Sequence, residues 1–545
     1  MALMTVRDRY GEDEIRAHHS NGIWREQRLF DVVEQHAAER GDRLFGTDST
    51  TSCTYRELRD AALRLATGLA RRGIVPGDRV AVQLPNWTEF FVIATAIARV
   101  GAVVVPIMPI YRRDEVGYII ESAGVRAVFT APEYRGFDHA GLFLDLARAH
   151  PYLHTVVVVR SEEVPGGAVR YHDMFEDPWT ADFGPGTGPD EPFTIMYSSG
   201  TTTHPKGCVH TFNTMCAGAR LLGQAWRYGP ADVQFGPSPI THTTGFVTSY
   251  LLPLLHGASS HLVERWEPHE GLERIAKFGC TAAVTATTFL QSVIEVYDPD
   301  VHDARTMRFW TSAGAPVPGS VVESAREVLP DMQVLSLYGR TENITTTTCT
   351  VEDDPSRALT SDGRALPHQE VRIVGMEGEE LPRGEQGDIA YRGAMNCLGY
   401  INQPEETAAN YTADGFHRSG DLGVMDDDGF VRVTGRVKDI IIRGGLNISV
   451  RQVEDLLAAH PAVREIACVG MPDQRLGEKM CAYLVPVDEA DPPTFEEIKA
   501  YLLDAGLAIQ KVPERLELIG EMPATATGKI KKHVLRADIK SRLLE

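Results

Sequence analysis

The run Tyr197-Ser-Ser-Gly-Thr-Thr-Thr-His-Pro-Lys-Gly207 follows an apolar stretch, Phe193 to Met196, that reads as a strand. Ser198, Ser199, Thr201, Thr202 and Thr203 supply hydroxyls, and Lys206 supplies one positive charge. Backbone amides and hydroxyls in such a loop donate to phosphoryl oxygens, a lysine offsets their charge, and Gly200 permits close backbone approach. The pattern is not GxxxxGK followed by Ser or Thr, and alone a loop of this composition is ordinarily a surface connection. Three further segments have the same double character. In Leu337-Tyr-Gly-Arg-Thr-Glu342, Tyr338 can stack on a flat base and Glu342 can help hold a divalent cation that bridges phosphates, or the segment is a turn with ordinary helix-capping residues. In Phe416-His-Arg-Ser-Gly-Asp-Leu-Gly423, Asp421 can accept two sugar hydroxyls, or it is solvated in a tight turn. In Pro523-Ala-Thr-Ala-Thr-Gly-Lys-Ile-Lys-Lys532, Lys529 can reach into a cleft between domains, or it belongs to an exposed basic tail.

The elements that must position these residues alternate in type. Residues 1 to about 27 are polar and read as an irregular extension laid on the main domain, and 28–47 contain a helix with Leu29, Val32, Val33 and Ala37 on one face. Thr54 and Glu57 form a capping pair, after which Leu58, Ala62, Leu65 and Leu69 repeat at helical spacing until Gly73. Strands at 79–84, 102–107, 125–129 and 154–159 then alternate with helices at 86–100, 112–122 and 138–149, the pattern of a largely parallel sheet. A Gly- and Pro-rich spacer spans 165–192. A second α/β unit follows, with strands near 193–197, 231–236, 258–263, 281–285, 307–311 and 332–336. From about 358, short strands such as 371–374, 387–391 and 430–434 predict a β-rich unit. Residues 439–545 read as a small α+β domain, with helices at 450–459 and 493–503 and strands at 464–470, 480–487 and 515–518. The fold class is therefore α/β: a large N-terminal domain, 1–438, of two α/β subdomains and a β-rich one, then a mobile C-terminal domain, 439–545.

The bulk composition narrows the function. At 545 residues the chain exceeds one compact core. A formal net charge of -21 disfavours a nucleic-acid backbone as partner. The 8 Cys form no CxxC pair and no cluster with metal-ligand spacing, which points to reduced thiols and a cytoplasmic setting. The N-terminus lacks the apolar run of a signal peptide, and no apolar stretch is long enough to span a membrane.

The four segments, with Gly435-Arg-Val-Lys-Asp-Ile-Ile-Ile-Arg-Gly-Gly-Leu-Asn-Ile448, fall in an order and at gaps that resemble the adenylate-forming superfamily: acyl-CoA and aryl-CoA synthetases, luciferase-like enzymes and peptide-synthetase adenylation domains. The resemblance covers about residues 28 to 540. It implies that Tyr197–Gly207 is the phosphate loop over ATP, with Thr203 where the family usually has Gly, and that Thr202 assists Glu342 at Mg²⁺. Pro239-Ile-Thr-His-Thr-Thr-Gly245 is similar to the family's aromatic motif, which places His242 at the acid pocket and Thr241 where a bulky residue is usual. Ala313-Gly-Ala-Pro316 resembles the segment against adenine and the acyl group, so Gly314, Ala315 and Pro316 join Thr201, Thr202, Tyr338, Gly339, Thr341, Asp421, Arg436 and Lys529 in the ATP site. Arg340 is unusually large for its variable position, and both an outward course and a phosphate contact are open to it. Lys206, His242, Glu342 and Lys529 are the implied catalytic residues. Lys438 is the implied hinge, and Gly444 and Gly445 border the CoA channel.

The resemblance implies a two-step reaction. A carboxylic acid and ATP give acyl-AMP and pyrophosphate; CoA then takes the acyl group and AMP leaves. The run Gly435 to Asn447, Thr244-Gly-Phe246 and Asp473-Gln-Arg-Leu-Gly-Glu478 are most similar to bacterial fatty-acid and alicyclic-acid CoA ligases. The expected acid pocket is His242, Phe246, Thr288, Gly314 and Thr345, a compact and mostly apolar slot for a short- or medium-chain fatty or cyclic acid. The rival reading is an aryl-acid adenylating enzyme loading CoA or a carrier protein. A reading of another class is a catalytically silent nucleotide-binding protein. A homodimer is compatible with either.

Overall fold

The structure is a computed structural model that describes residues 3–176, 184–198, 205–314, 317–436, 439–443, 446–448, 450–525 and 529–543. Two eight-stranded sheets form most of the large N-terminal domain. In the first, Pro192–Tyr197, Val103–Pro106, Arg79–Gln83, Val125–Thr130, Thr155–Val158 and Val169–Arg170 lie side by side and parallel, with Gly207–Thr211 antiparallel to Pro192–Tyr197 and Gly399–Tyr400 antiparallel to Gly207–Thr211 at the edge. In the second, Gln333–Tyr338, Phe309–Ala313, Ala282–Thr285, Val233–Gly236, Ser259–Leu262 and Leu44–Thr47 are parallel, with Thr347–Thr348 and Ser52–Thr54 antiparallel at the two edges. The expected helices and parallel strands are present. Thr54 caps Tyr55–Arg71, its Oγ1 accepting from the amide of Glu57 at 3.2 Å, and Leu58, Ala62, Leu65 and Leu69 are all fully buried.

The helix expected within 28–47 is present as Leu29–Arg40, and Leu44–Thr47 after it is a strand paired with Ser260 and His261 far downstream. Its periodicity could not reveal that partner. Three expectations are corrected. The strand near 193–197 belongs to the first sheet, through Thr194 beside Val104, and not to the second unit. The N-terminal extension is laid on the main domain but is not irregular: it contains helices Val6–Arg9 and Glu12–Ser20, and buried Trp24 donates to the Ala394 carbonyl at 3.0 Å. The basic tail ends in a helix, Lys532–Arg542, whose Leu535 and Ile539 are buried.

Between the sheets lies an aromatic cluster. Phe246 packs edge-on to Phe90 at 5.9 Å and meets Phe193 of the first sheet at 5.9 Å, while Phe45 of the second sheet meets Phe91 at 4.9 Å. Such pairs add about 0.5–1.5 kcal/mol each beyond area burial. Phe246→Ala is expected to cost about 3–5 kcal/mol of stability, read as a fall in the denaturant midpoint; a loss near zero would place the side chain outside the core.

The remaining chain forms two smaller sheets. Gln369–Val374, Gln386–Gly393, His417–Met425 and Val431–Arg436 make an antiparallel four-stranded sheet, the expected β-rich unit. The small C-terminal domain is a five-stranded sheet built on Val463–Asp473 and Gly477–Pro486. Strand alternation gives that sheet two cores: Ile466 and Cys468 pack with Val453, Leu457 and Leu502, whereas Ala467 and Val469 pack with Leu535 and Ile539. Among the described residues no helix is long and apolar enough to cross a membrane.

Candidate active site

The second sheet presents the C-terminal ends of adjacent parallel strands to one edge, where open α/β sheets ordinarily bind ligands. Gln333–Tyr338 ends there and turns through Gly339-Arg340-Thr341-Glu342. The turn is tight: the amide of Ile344 donates to the Arg340 carbonyl at 2.7 Å, and that of Thr346 to the Tyr338 carbonyl at 2.8 Å. A β-carbon on Gly339 would stand 2.1 Å from the Ile344 carbonyl oxygen, so the position requires glycine. Ile344 itself has φ +57°, an outlier for a β-branched residue. Buried His210 braces the turn from the first sheet, its Nε2 meeting the Thr341 carbonyl at 2.8 Å. Burial holds the pKa of His210 down to about 4, so it serves as a neutral donor.

Two buried carboxylates face each other across this edge. Asp421, from His417–Met425, accepts at Oδ2 from Tyr338 Oη at 2.7 Å and from Arg340 Nη1 at 2.7 Å, and Arg436 Nε lies 2.9 Å from Oδ1. Glu342 accepts at Oε1 from Tyr400 Oη at 2.8 Å, and Arg340 Nη2 stands 3.4 Å from the same oxygen. Burial alone would raise the pKa of Glu342, but Arg340 above all, with His417 and Tyr400, outweighs it and holds the carboxyl at about 2. Asp421 is likewise lowered, against the pull of burial, by Arg340 and Arg436. Both are ionised near neutrality.

Lys529 enters from the C-terminal domain. Its backbone is pinned by Thr525, whose amide donates to the Lys529 carbonyl at 2.7 Å and whose Oγ1 accepts from the Lys529 amide at 3.0 Å. The side chain lies over Gly314, at φ +80°, where a β-carbon would approach Lys529 Cε to 3.3 Å. Burial, then repulsion from Arg436, lowers the Lys529 pKa to about 8, with Asp421 and Glu342 opposing. His242 is half-buried, and its Nδ1 accepts from the Thr244 amide at 3.3 Å, leaving Nε2 to carry the proton. Burial, then Lys529, pushes its pKa down to about 3. Lys206 closes the stem of the 192–211 hairpin, its carbonyl accepting from the Ser198 amide at 2.9 Å. Its ammonium pairs with Glu406 and lies 5.0 Å from the Tyr400 ring centre.

The structure thus gathers Tyr338, Gly339, Thr341, Glu342, Asp421, Arg436, Gly314, Lys529 and His242 around one edge, with Lys206 joined to them through Tyr400. Thr345 follows the turn and is buried. Phe246 is fully enclosed in the aromatic cluster, and Thr288 is exposed while its neighbour Thr287 is buried. Ser199, Gly200, Thr201, Thr202, Thr203, Ala315, Pro316, Lys438, Gly444 and Gly445 lie outside the described residues. Tyr400 and His210 escaped the sequence reading: Tyr400 arrives through an edge pairing with Cys208, which no local pattern announces.

A lysine whose pKa is lowered loses its charge as pH rises through about 8. With Lys529 acting as a cation, kcat/KM for ATP, which reports the free enzyme, is expected to fall about tenfold per pH unit above that point. The value of kcat should hold to higher pH, because bound polyphosphate favours the charged amine. Pyrophosphate release followed from neutral to alkaline pH tests this, and a kcat/KM profile flat to roughly pH 10 would exclude it.

The chain matches the AMP-binding enzyme family over residues 33–401 and the AMP-binding enzyme C-terminal domain over 452–529. A medium-chain fatty-acid–CoA ligase of Escherichia coli (strain K12) is 33% identical over 547 residues, covering 99% of this chain and 96% of that protein. A 2,3-dihydroxybenzoate-AMP ligase of Bacillus subtilis (strain 168) is 30% identical over 536 residues, covering 98% and 97%. The crystal structure of ATP-bound MatB from Rhodopseudomonas palustris superposes with a TM-score of 0.84 at 28% identity, covering 95% of this chain and 100% of that one.

Proposed function

This chain belongs to the AMP-binding enzyme family, the adenylate-forming superfamily, and on that premise we propose that Lys529, Glu342, Asp421 and their neighbours form the site at which a carboxylic acid is converted to its acyl-AMP. The protein is a ligase of the acyl-CoA synthetase kind. The observation that carries the site assignment is the position of Lys529: a residue of the C-terminal domain lies against Gly314, in the electrostatic reach of Glu342, Asp421 and His242.

In the first step a carboxylate oxygen attacks the α-phosphorus of ATP, the bond to the bridging oxygen breaks, and pyrophosphate leaves. Lys529 stabilises the charge that gathers on the carboxylate and phosphoryl oxygens. Asp421 accepts the ribose hydroxyls, Tyr338 and Gly314 border the adenine, Thr341 stands at the α-phosphate, and Lys206 with the 198–206 loop covers the outer phosphates. Glu342 is one ionised carboxylate, and among the described residues no three His, Cys, Asp or Glu converge. That donor set fits Mg²⁺, which takes one or two carboxylates together with substrate phosphates; Glu342 and Thr202 would hold it, and bound Mg²⁺ neutralises phosphate charge. In the second step the CoA thiol attacks the acyl carbonyl, AMP departs, and Lys529 vacates the site by rotation of 439–545 about Lys438, bringing Gly444 and Gly445 to the pantetheine channel.

The acid we propose is a short- or medium-chain fatty or alicyclic one, supported by the likeness to the fatty-acid–CoA ligase along 99% of the chain. An aryl acid carrying polar groups has support of its own: Thr345 Oγ1, after Gln333–Tyr338, and Thr287 Oγ1, after Ala282–Thr285 of the same sheet, are buried with no hydrogen-bond partner among the described residues. Such oxygens cost about 1–3 kcal/mol each unless a ligand meets them. The test is a panel of fatty, alicyclic and hydroxybenzoic acids scored for ATP-dependent pyrophosphate release, then for thioester with CoA or acyl transfer to a carrier protein. Nucleotide binding without pyrophosphate release for any acid would overturn the assignment.

A further inference from the structure

Arg340 occupies the variable position of its motif, and it points inward. Its guanidinium bridges the two buried carboxylates, with Nη1 2.7 Å from Asp421 Oδ2 and Nη2 3.4 Å from Glu342 Oε1. Its Nε is buried with no partner among the described residues. An ionised carboxylate offers about four acceptor sites. Tyr338 and Arg340 already take two on Asp421 Oδ2, and Arg436 takes one on Oδ1. Two ribose hydroxyls need two, so at least one resident donor must leave. At Glu342, Tyr400 and Arg340 share Oε1, and a divalent cation arriving there meets a guanidinium of like sign. Tyr338 sits at a strand end, and Arg436 touches only Asp421 among these carboxylates. Arg340 is the resident group that obstructs both positions at once.

We propose that Arg340 is a positioning residue that stands in for both ligands before they arrive, so that nucleoside and divalent cation bind by exchange with one guanidinium. This rests on the reading of Asp421 as the ribose acceptor and Glu342 as the cation ligand. Its consequence is specific. When either ligand displaces Arg340, the other position opens, and the two become positively coupled without touching each other. ATP cannot reveal this, because its phosphates bind Mg²⁺ directly. Adenosine can, because it has no phosphate.

The experiment is calorimetric titration of the full chain with adenosine, with and without saturating Mg²⁺. In the wild type Mg²⁺ is expected to tighten adenosine about tenfold, within the usual range of coupling between sites. Arg340→Met is expected to bind adenosine about tenfold tighter without Mg²⁺ and to lose the coupling. Arg340→Lys, which lacks the planar fork whose two nitrogens reach the two carboxylates, should retain only part of it. An identical adenosine Kd with and without Mg²⁺ in the wild type overturns the proposal, and needs no variant to fold. Weaker adenosine binding by Arg340→Met also overturns it. Pyrophosphate release by the wild type separates the failures. An active enzyme without coupling loses only the role of Arg340; an enzyme that binds neither adenosine nor ATP loses the reading of the site as well.

Discussion

Lys529→Ala is expected to slow acyl-adenylate formation by about 10²- to 10³-fold, while thioester formation from supplied acyl-AMP stays close to wild type. The factor corresponds to losing one preorganised donor where charge develops, about 3–4 kcal/mol. The split between half-reactions follows from where Lys529 sits. It lies over Gly314 with Arg436, Arg340, Asp421 and Glu342 as its charged surroundings, and the proposed second step places the lysine elsewhere. The loop has its own anchor, because both bonds to Thr525 use the backbone of residue 529. The fold should not suffer. A lysine whose folded pKa is lowered costs stability while it is charged, at pH below about 8, and the cost fades as pH climbs toward the unfolded value. The alanine variant should therefore melt at or above the wild-type temperature near neutral pH. Single-turnover measurement of each half-reaction checks the split. Equal slowing of both steps would mean that Lys529 does not act on the adenylation step alone.

What the sequence disclosed and what it hid divide along one physical line. Local chemistry was legible. Thr54 and Glu57 announce a cap that forms, the amphipathic spacing of Leu58 to Leu69 buries one face, and the Gly339 turn and the Gly420–Asp421 corner lie where their residue types predict. Long-range pairing was not. Leu44–Thr47 goes unread as a strand because its partner strand, Ser259–Leu262, is more than 200 residues away. Tyr400 reaches Glu342 across 58 residues, by an edge pairing that single-sequence patterns do not encode. The course of Arg340 was undetermined for the same reason. Its direction depends on Asp421, which another sheet delivers. Membership in the family was readable because it rests on short motifs in order. The identity of the acid was not, because the surroundings of pocket candidates such as Thr345 are set by tertiary packing.

Asp421→Asn should damage both the unliganded protein and the nucleotide complex. The substitution keeps the shape of the side chain and removes its charge, and three donors depend on that charge: Tyr338, Arg340 and Arg436. An amide has one acceptor oxygen, and its nitrogen would confront donors that have nothing to accept with. Removing one partner from a buried, hydrogen-bonded ion pair costs about 3–5 kcal/mol, because the remaining charge is left uncompensated. Glu342 still faces Arg340, which bounds the loss toward the lower end. Chemical denaturation should show it as a lower midpoint at unchanged slope. Adenosine affinity should fall as well, since a hydrogen bond to an ionised group contributes about 1.5–3 kcal/mol, roughly 10- to 100-fold in Kd. The two losses respond differently to a second change. In Arg340→Met/Asp421→Asn the stranded guanidinium is gone, so part of the stability should return although Glu342 loses its cation, whereas the ribose acceptor is still missing and adenosine should remain weak. Non-additivity of this kind is expected of residues in direct contact. Recovery of affinity alongside stability would mean that Asp421 holds Arg340 and not the ribose.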